Sequence, residues 1–230
     1  MEKKTVVLVP YGKSREHLHG DCIDVVRHGL GITVLEVRGG SQIDMIRSQL
    51  ACAALAHGAD VALFIDSDIL FDPLDVSVLA NVARETQGVV GAPYSERRMG
   101  AGLVGCFEPT VDEVTFGAGG CLYPAPGALG MGFTAIHRSV FERLDALPQY
   151  APCNSQGGII RPYFQRIIAN GYWLYEDASF CHAAREAGAG TFTDTRVIVK
   201  HLGDHAFSVE DVCRQTVDAK SFKVRVRARQ

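Results

Sequence analysis

Five consecutive apolar residues, Val61-Ala-Leu-Phe-Ile65, constrain this chain more than any other stretch. A strand that is apolar on both faces must be buried on both, as in a parallel sheet held between helices. The surrounding segments supply such a sheet. Thr5 to Val9 is a β-branched run that stops at Pro10-Tyr11; Ile32 to Val37 is a second, closed by Gly39-Gly40, and Gly88 to Ala92 a third. Between them Ile43, Ile46, Leu50 and Ala54 recur at helical spacing as far as Gly58, and a further helix is expected from about Pro73 to Arg84. Strands alternating with helices imply parallel β-α-β units with right-handed crossovers.

Beyond residue 98 the pattern changes. Glycine is dense from Met99 to Gly130, and the short β-like pieces there (Leu103 to Phe107, Glu113 to Phe116) read as a hairpin or loops covering a cleft, a lid that would order over a bound ligand. A strand is expected from Phe133 to Ile136, helices over Ser139 to Leu147 and Asp177 to Ala187, and a last core strand over Arg196 to Lys200. The tail from Phe222 to Arg229 alternates basic and apolar residues, as an edge strand or an ordered arm would. No repeat or linker divides the 230 residues. One α/β domain over 1–230 is therefore expected, with 219–230 as arm or edge strand. Its central sheet is mainly parallel and flanked by helices, with a smaller antiparallel portion beside the cleft.

Composition excludes several classes of function. With 47% hydrophobic and 21% charged residues the chain is an ordinary globular one, and a net charge of -3 gives no reason to expect a nucleic-acid partner. No apolar run approaches the ~18 residues of a transmembrane segment. The start, Met1-Glu2-Lys3-Lys4, carries no signal-peptide pattern, so residence in the cytoplasm is expected. The seven cysteines are scattered without a C-x-x-C pair, which argues against a disulfide scaffold or a thiolate zinc site.

The residues able to do chemistry cluster where such sheets bind ligands, beyond the carboxyl ends of the strands. Asp66 and Asp68 follow the most apolar strand directly, and two carboxylates in an extended loop can share one hard cation with a diphosphate; a solvated turn is the plainer alternative. Glu176 and Asp177 open a helix, where they either stabilise the helix dipole or offer a general base. His201, at a strand end, is a structural histidine or a third metal ligand. Arg47, one turn beyond Asp44, can meet a base, ribose or phosphate, or pair with Asp44 on the surface. Arg97 and Arg98 can neutralise a diphosphate or merely solubilise a loop.

Taken in order, Pro10-Tyr11, Ile43 to Arg47, Phe64-Ile65-Asp66-Ser67-Asp68, Gly130-Met131-Gly132-Phe133, Glu176-Asp177 with Phe180, and His201 resemble the GT-A glycosyltransferases, in particular small bacterial proteins related to the inverting family 2 enzymes. The resemblance implies a Rossmann-like GT-A domain that holds Mn²⁺ or Mg²⁺ through Asp68 and His201, with Asp66 reaching the ribose or the metal shell. It also implies a nucleotide pocket lined by Pro10 and Tyr11 with Asp44 and Arg47 nearby, a Gly130 to Phe133 segment at donor sugar and acceptor, and Asp177 as catalytic base. The Glu-Asp-x-x-Phe phrase is similar to retaining fungal-type mannosyltransferases as well, which leaves the stereochemistry open.

The expected reaction is metal-dependent transfer of a sugar from a UDP- or GDP-sugar to a hydroxyl on a glycan, a lipid-linked acceptor or a protein, by a monomer or a homo-oligomer. A nucleotidyltransferase making sugar nucleotides shares this topology, but the loop Pro10-Tyr-Gly-Lys-Ser-Arg15 holds one glycine where such enzymes carry a glycine-rich stretch. An inactive sugar-nucleotide-binding protein is the other alternative.

Overall fold

The computed structural model describes residues 3–12, 16–39, 42–97, 102–155, 158–212, 215–218 and 221–226. Its centre is a seven-stranded sheet in the order Thr33–Arg38, Thr5–Tyr11, Val61–Ile65, Phe133–His137, Val89–Gly91, Thr191–Asp194, Leu122–Pro124. The first three are parallel neighbours, as are Val89–Gly91 and Thr191–Asp194. Phe133–His137 runs antiparallel between the two groups, and Leu122–Pro124 is an antiparallel edge. The sheet is thus mostly parallel, with one reversed strand in its middle and one at its edge.

The longer helices are α1 (His17–Asp24), α2 (Ile43–Ala56), α3 (Asp75–Thr86), α4 (Arg138–Asp145) and α5 (Glu176–Glu186). They cover both faces of the sheet, which is what the apolar run at its centre requires. Ala62 and Phe64 pack with side chains of α2, α4 and α5. Val61, Leu63 and Ile65 pack with α1 and α3 on the other face. Each large side chain sealed in this way contributes roughly 1.5–3 kcal/mol. Among the described residues, no helix is long and apolar enough to cross a membrane.

The structure departs from the sequence reading at the end of the sheet. The strand that joins it is Thr191–Asp194, whereas Arg196 to Lys200 was expected. Asp194 explains the difference: its carboxylate is fully buried and accepts hydrogen bonds from the Arg196 backbone N–H at 3.0 Å and from Arg196 Nη2 at 2.6 Å. That turn ends the strand. The chain then pairs Lys200–His201 with Ile69–Leu70 and with Phe207–Ser208 in a small antiparallel sheet.

In the glycine-rich segment, Leu103–Val104 pairs with Tyr94–Ser95. Glu113–Gly117 pairs with Ser221–Arg225, which in turn holds Gln215–Asp218, so the tail is joined to this segment as a strand. Val114, Phe116, Val209 and Val224 form a small core there. Arg98, Met99 to Ala101 and the tail positions 219–220 and 227–230 lie outside the described residues.

Candidate functional site

Where the parallel strands end, a cleft of about 220 Å³ opens between the first strand, α2 and the loop after the central strand. Pro10, Tyr11 and Gly12 form one wall, Ile43, Ile46 and Arg47 a second, and Asp66, Ser67 and Asp68 the third. The central strand stops here because Asp66 leaves the sheet: its N–H donates to the Gly132 carbonyl at 2.9 Å, and its carbonyl accepts from the Ile69 N–H at 3.0 Å.

One side of the cleft is built on Arg47. Its guanidinium is 5% exposed, faces Asp66 with Nη1 2.9 Å from Oδ1 and Nη2 3.1 Å from Oδ2, and turns Nε toward Glu176 at 3.6 Å. It also lies 5.6 Å from the centre of the Phe64 ring. Burial alone would push its pKa down, but the Asp66 and Glu176 carboxylates more than offset that and keep it charged. Nε, Nη1 and Asp66 Oδ1 are buried without a well-aligned hydrogen-bond partner among the described residues, although the charges are in contact.

The other side is built on Asp68 and His201. Because Lys200–His201 pairs with Ile69–Leu70, His201 stands opposite Ile69, and the Leu202 N–H donates to the Asp68 carbonyl at 2.7 Å. His201 Nδ1 lies 3.1 Å from the Ser95 carbonyl. A carbonyl only accepts, so Nδ1 carries the proton and Nε2 is the acceptor nitrogen, 3.6 Å from Asp68 Oδ2. Arg97 bridges the two, with Nη2 on the Asp68 carboxylate and Nε 2.9 Å from His201 Nε2. Burial, and then Arg97, hold the His201 pKa below its usual value, although the Ser95 hydrogen bond acts the other way.

Glu176 and Asp177 occupy the first turn of α5. Burial pushes both carboxyls above the usual carboxylate range, opposed by the nearby Arg47 charge. Asp177 Oδ1 also accepts from the Ala178 N–H at 2.6 Å. Behind these groups lies Tyr94, a buried side chain that the sequence reading missed. Its ring stands edge-on to His201, 5.3 Å between centres, and burial followed by the Asp66 charge raises its pKa. A Cβ at Gly132 would come within 2.9 Å of that ring, so the glycine there makes the approach possible. The signal for Tyr94 was its place just beyond the strand Val89–Gly91, where ligands of such sheets bind.

The structure therefore gathers Pro10, Tyr11, Arg47, Asp66 and Asp68 around one cleft. His201 and Arg97 stand at Asp68, Glu176 stands at Arg47, and Gly132 lies behind Asp66. Asp44 is turned elsewhere. Its carboxylate accepts from the Met45 N–H at 2.9 Å, faces Arg166 Nε at 3.7 Å and lines a separate cleft of about 670 Å³ on the opposite face of α2. Asp66 does not join Asp68 and His201, because Arg47 engages it. No group of three or more His, Cys, Asp or Glu side chains able to hold a metal converges among the described residues. The donor set that does fit a hard divalent cation is a pair: the Asp68 carboxylate and a histidine whose tautomer is fixed by a carbonyl, the usual support of a metal-binding imidazole.

No protein-family profile matches the chain, and no curated protein matches it. Solved structures do. A197 from STIV matches with a TM-score of 0.55 and 17% identity, over 99% of this chain and 97% of that one. The structure of GalNAc-T7 with UDP, GalNAc and Mn²⁺ matches with a TM-score of 0.50 and 12% identity, over 87% of this chain. The fold is GT-A-like. At these identities the likeness is one of fold, and this chain spans 43% of the length of GalNAc-T7. In this GT-A-like sheet the cleft lies at the carboxyl ends of the parallel strands, between the first strand and the central one.

Proposed function

We propose that the chain is a glycosyltransferase domain, spanning 1–230, that moves a sugar from a UDP- or GDP-sugar to an acceptor hydroxyl with the help of Mn²⁺ or Mg²⁺. One observation carries this reading: the Asp68 carboxylate and the acceptor nitrogen Nε2 of His201 lie 3.6 Å apart at the cleft that Tyr11 and α2 enclose. The presence of UDP and Mn²⁺ in the GalNAc-T7 structure, on the same fold, supports it.

In this reading Pro10 and Tyr11 flank the nucleotide, and Arg47, which lines the same cleft, supplies positive charge beside its ribose or phosphates. Asp68 and His201 hold the metal, which when bound neutralises charge on the departing diphosphate. Arg97, lying on both ligands, has to leave them and is then free to contact the same diphosphate. The acceptor hydroxyl attacks the anomeric carbon and gives its proton to the Asp177 carboxylate. The bond from that carbon to the diphosphate breaks, and its electron pair leaves with the diphosphate oxygen. Burial raises the Asp177 pKa, which makes it a stronger proton acceptor than an exposed aspartate.

A panel of UDP- and GDP-sugars, incubated without acceptor and with or without Mn²⁺, tests the proposal. Metal-dependent release of free sugar from at least one donor is expected. Binding without any turnover would make the chain a sugar-nucleotide-binding protein instead.

A further inference from the structure

Ile168–Ala169 and Tyr172–Trp173 form a hairpin closed by Asn170-Gly171, with φ of 52° and 80°. Positive φ at both central residues is the hairpin turn that Asn-Gly favours. Ile168 pairs with Trp173, and the Leu174 N–H donates to the Ile167 carbonyl at 2.9 Å. Continuing that register sets Arg166 opposite Tyr175, where the guanidinium carbon lies 5.8 Å from the ring centre. By the two-residue period of a strand, Ile168, Trp173, Tyr175 and Arg166 share one face. Ile168, Trp173 and Tyr175 are 73%, 71% and 68% exposed. A contiguous patch of exposed large side chains marks an interaction surface.

The patch runs directly into the candidate site. Tyr175 is the N-cap residue of α5, and Glu176 and Asp177 follow it. On its other flank Arg166 reaches Asp44, which lines the 670 Å³ cleft together with the amide side chains Gln42, Asn154 and Gln165. Flat rings thus continue into amides and one carboxylate. From Arg166 to Asp177 the surface carries one arginine, two acids and no lysine. An anionic bilayer would be drawn to clustered Lys and Arg, which this strip lacks.

Building on the glycosyltransferase reading, we propose that this strip is the acceptor site and that the acceptor is a neutral oligosaccharide. The C–H faces of its sugar rings stack on Trp173 and Tyr175, rigid aromatic surfaces that lose little entropy on contact. Its hydroxyls bond to Asp44 and the three amides.

Trp173 is the only tryptophan in the chain, so tryptophan emission, excited beyond the tyrosine band, reports on this surface alone. The full chain is titrated with neutral gluco-, manno- and chito-oligosaccharides, and separately with phosphatidylcholine vesicles with and without phosphatidylserine. A saturable blue shift with at least one oligosaccharide, and none with vesicles, is expected. For that acceptor, Trp173→Ala should raise KM roughly tenfold or more while donor KM moves by less than about twofold, and Trp173→Phe should recover most of the loss. A shift with vesicles only, no response to the whole panel, or an unchanged acceptor KM in Trp173→Ala would overturn the proposal. Failure of the glycosyltransferase reading itself is separate, and shows as absent donor hydrolysis by the wild-type chain without acceptor.

Discussion

Arg47 grips Asp66 through both carboxylate oxygens, at 2.9 and 3.1 Å, and presents Nε to Glu176 at 3.6 Å. One buried cation thereby ties the end of the central strand to α2 and α5. Removing it leaves two largely buried carboxylates without a counter-charge, which costs more than the intact pair contributes. Arg47→Ala should therefore lower stability by on the order of 3 kcal/mol. Urea unfolding should show this as a lower midpoint at unchanged slope. Arg47→Lys keeps the charge but cannot reproduce the two-pronged contact, and its midpoint should fall in between. An unchanged midpoint in Arg47→Ala would show that the carboxylates are solvated after all.

Asp177 and Glu176 make different demands on the same helix start. Glu176 faces Arg47, whereas Asp177 caps its neighbour's N–H and is proposed as the base. Asp177→Asn should lower transfer by about 10² to 10⁴ with donor and metal affinity retained. Glu176→Gln should act mainly on stability. Since burial raises the Asp177 pKa, the acid limb of the transfer rate should lie above the usual carboxylate range and vanish in Asp177→Asn. Equal, modest losses in both variants would point to helix capping or to a retaining mechanism.

Arg97 lies on both proposed metal ligands, so metal and guanidinium compete for them. As Arg97 is 47% exposed, the competition is weak, and Arg97→Gln should tighten Mn²⁺ binding by roughly two- to fivefold. His201→Ala should weaken it by roughly ten- to a hundredfold. Electron paramagnetic resonance of free Mn²⁺ measures both without any turnover. Weaker binding in Arg97→Gln would mean that the arginine organises the site instead of occupying it.

Most of the sheet was legible because its signals are local: the five-residue apolar run, the β-branched runs and the helical spacing of Ile43, Ile46, Leu50 and Ala54. The position of Asp66 and Asp68 beyond the central strand followed from the same logic. What was not legible depends on long-range pairing. The buried Asp194 carboxylate moves the last core strand upstream, and only then does Lys200–His201 pair with Ile69–Leu70 and carry His201 to Asp68. Asp44 and Arg47 stand one turn apart on α2, yet only the packing of that helix decides that Arg47 lines the cleft beside Asp66 while Asp44 faces the other cleft. Helix α1 was missed because its sequence, with Leu18 exposed and His19 and Gly20 buried, has little apolar periodicity.

Asp75 offers a test of the fold that does not involve the reaction. Burial, reinforced by the Asp72 and Asp194 charges, raises its pKa from 3.8 to about 6. A raised carboxyl pKa means that the folded chain binds more proton than the unfolded one between those values, so this group's contribution to stability falls as pH rises across them. Asp75→Asn removes the titration. The stability of the variant relative to wild type should climb from about pH 4 to about pH 6 and then level off. A pH-independent difference in urea midpoints would show that Asp75 is not buried among those acids.

Calorimetric titration of UDP and GDP into the full chain, with and without Mn²⁺, and into Asp68→Ala, tests the central claim most directly. Asp68 sits in a loop after the strand end, so Asp68→Ala should fold normally, which its urea midpoint checks. The expected result is nucleotide binding by the wild-type chain that strengthens with Mn²⁺, and loss of that metal dependence in Asp68→Ala. Nucleotide binding that ignores Mn²⁺ in the wild type, or that keeps its full Mn²⁺ dependence in Asp68→Ala, would contradict it.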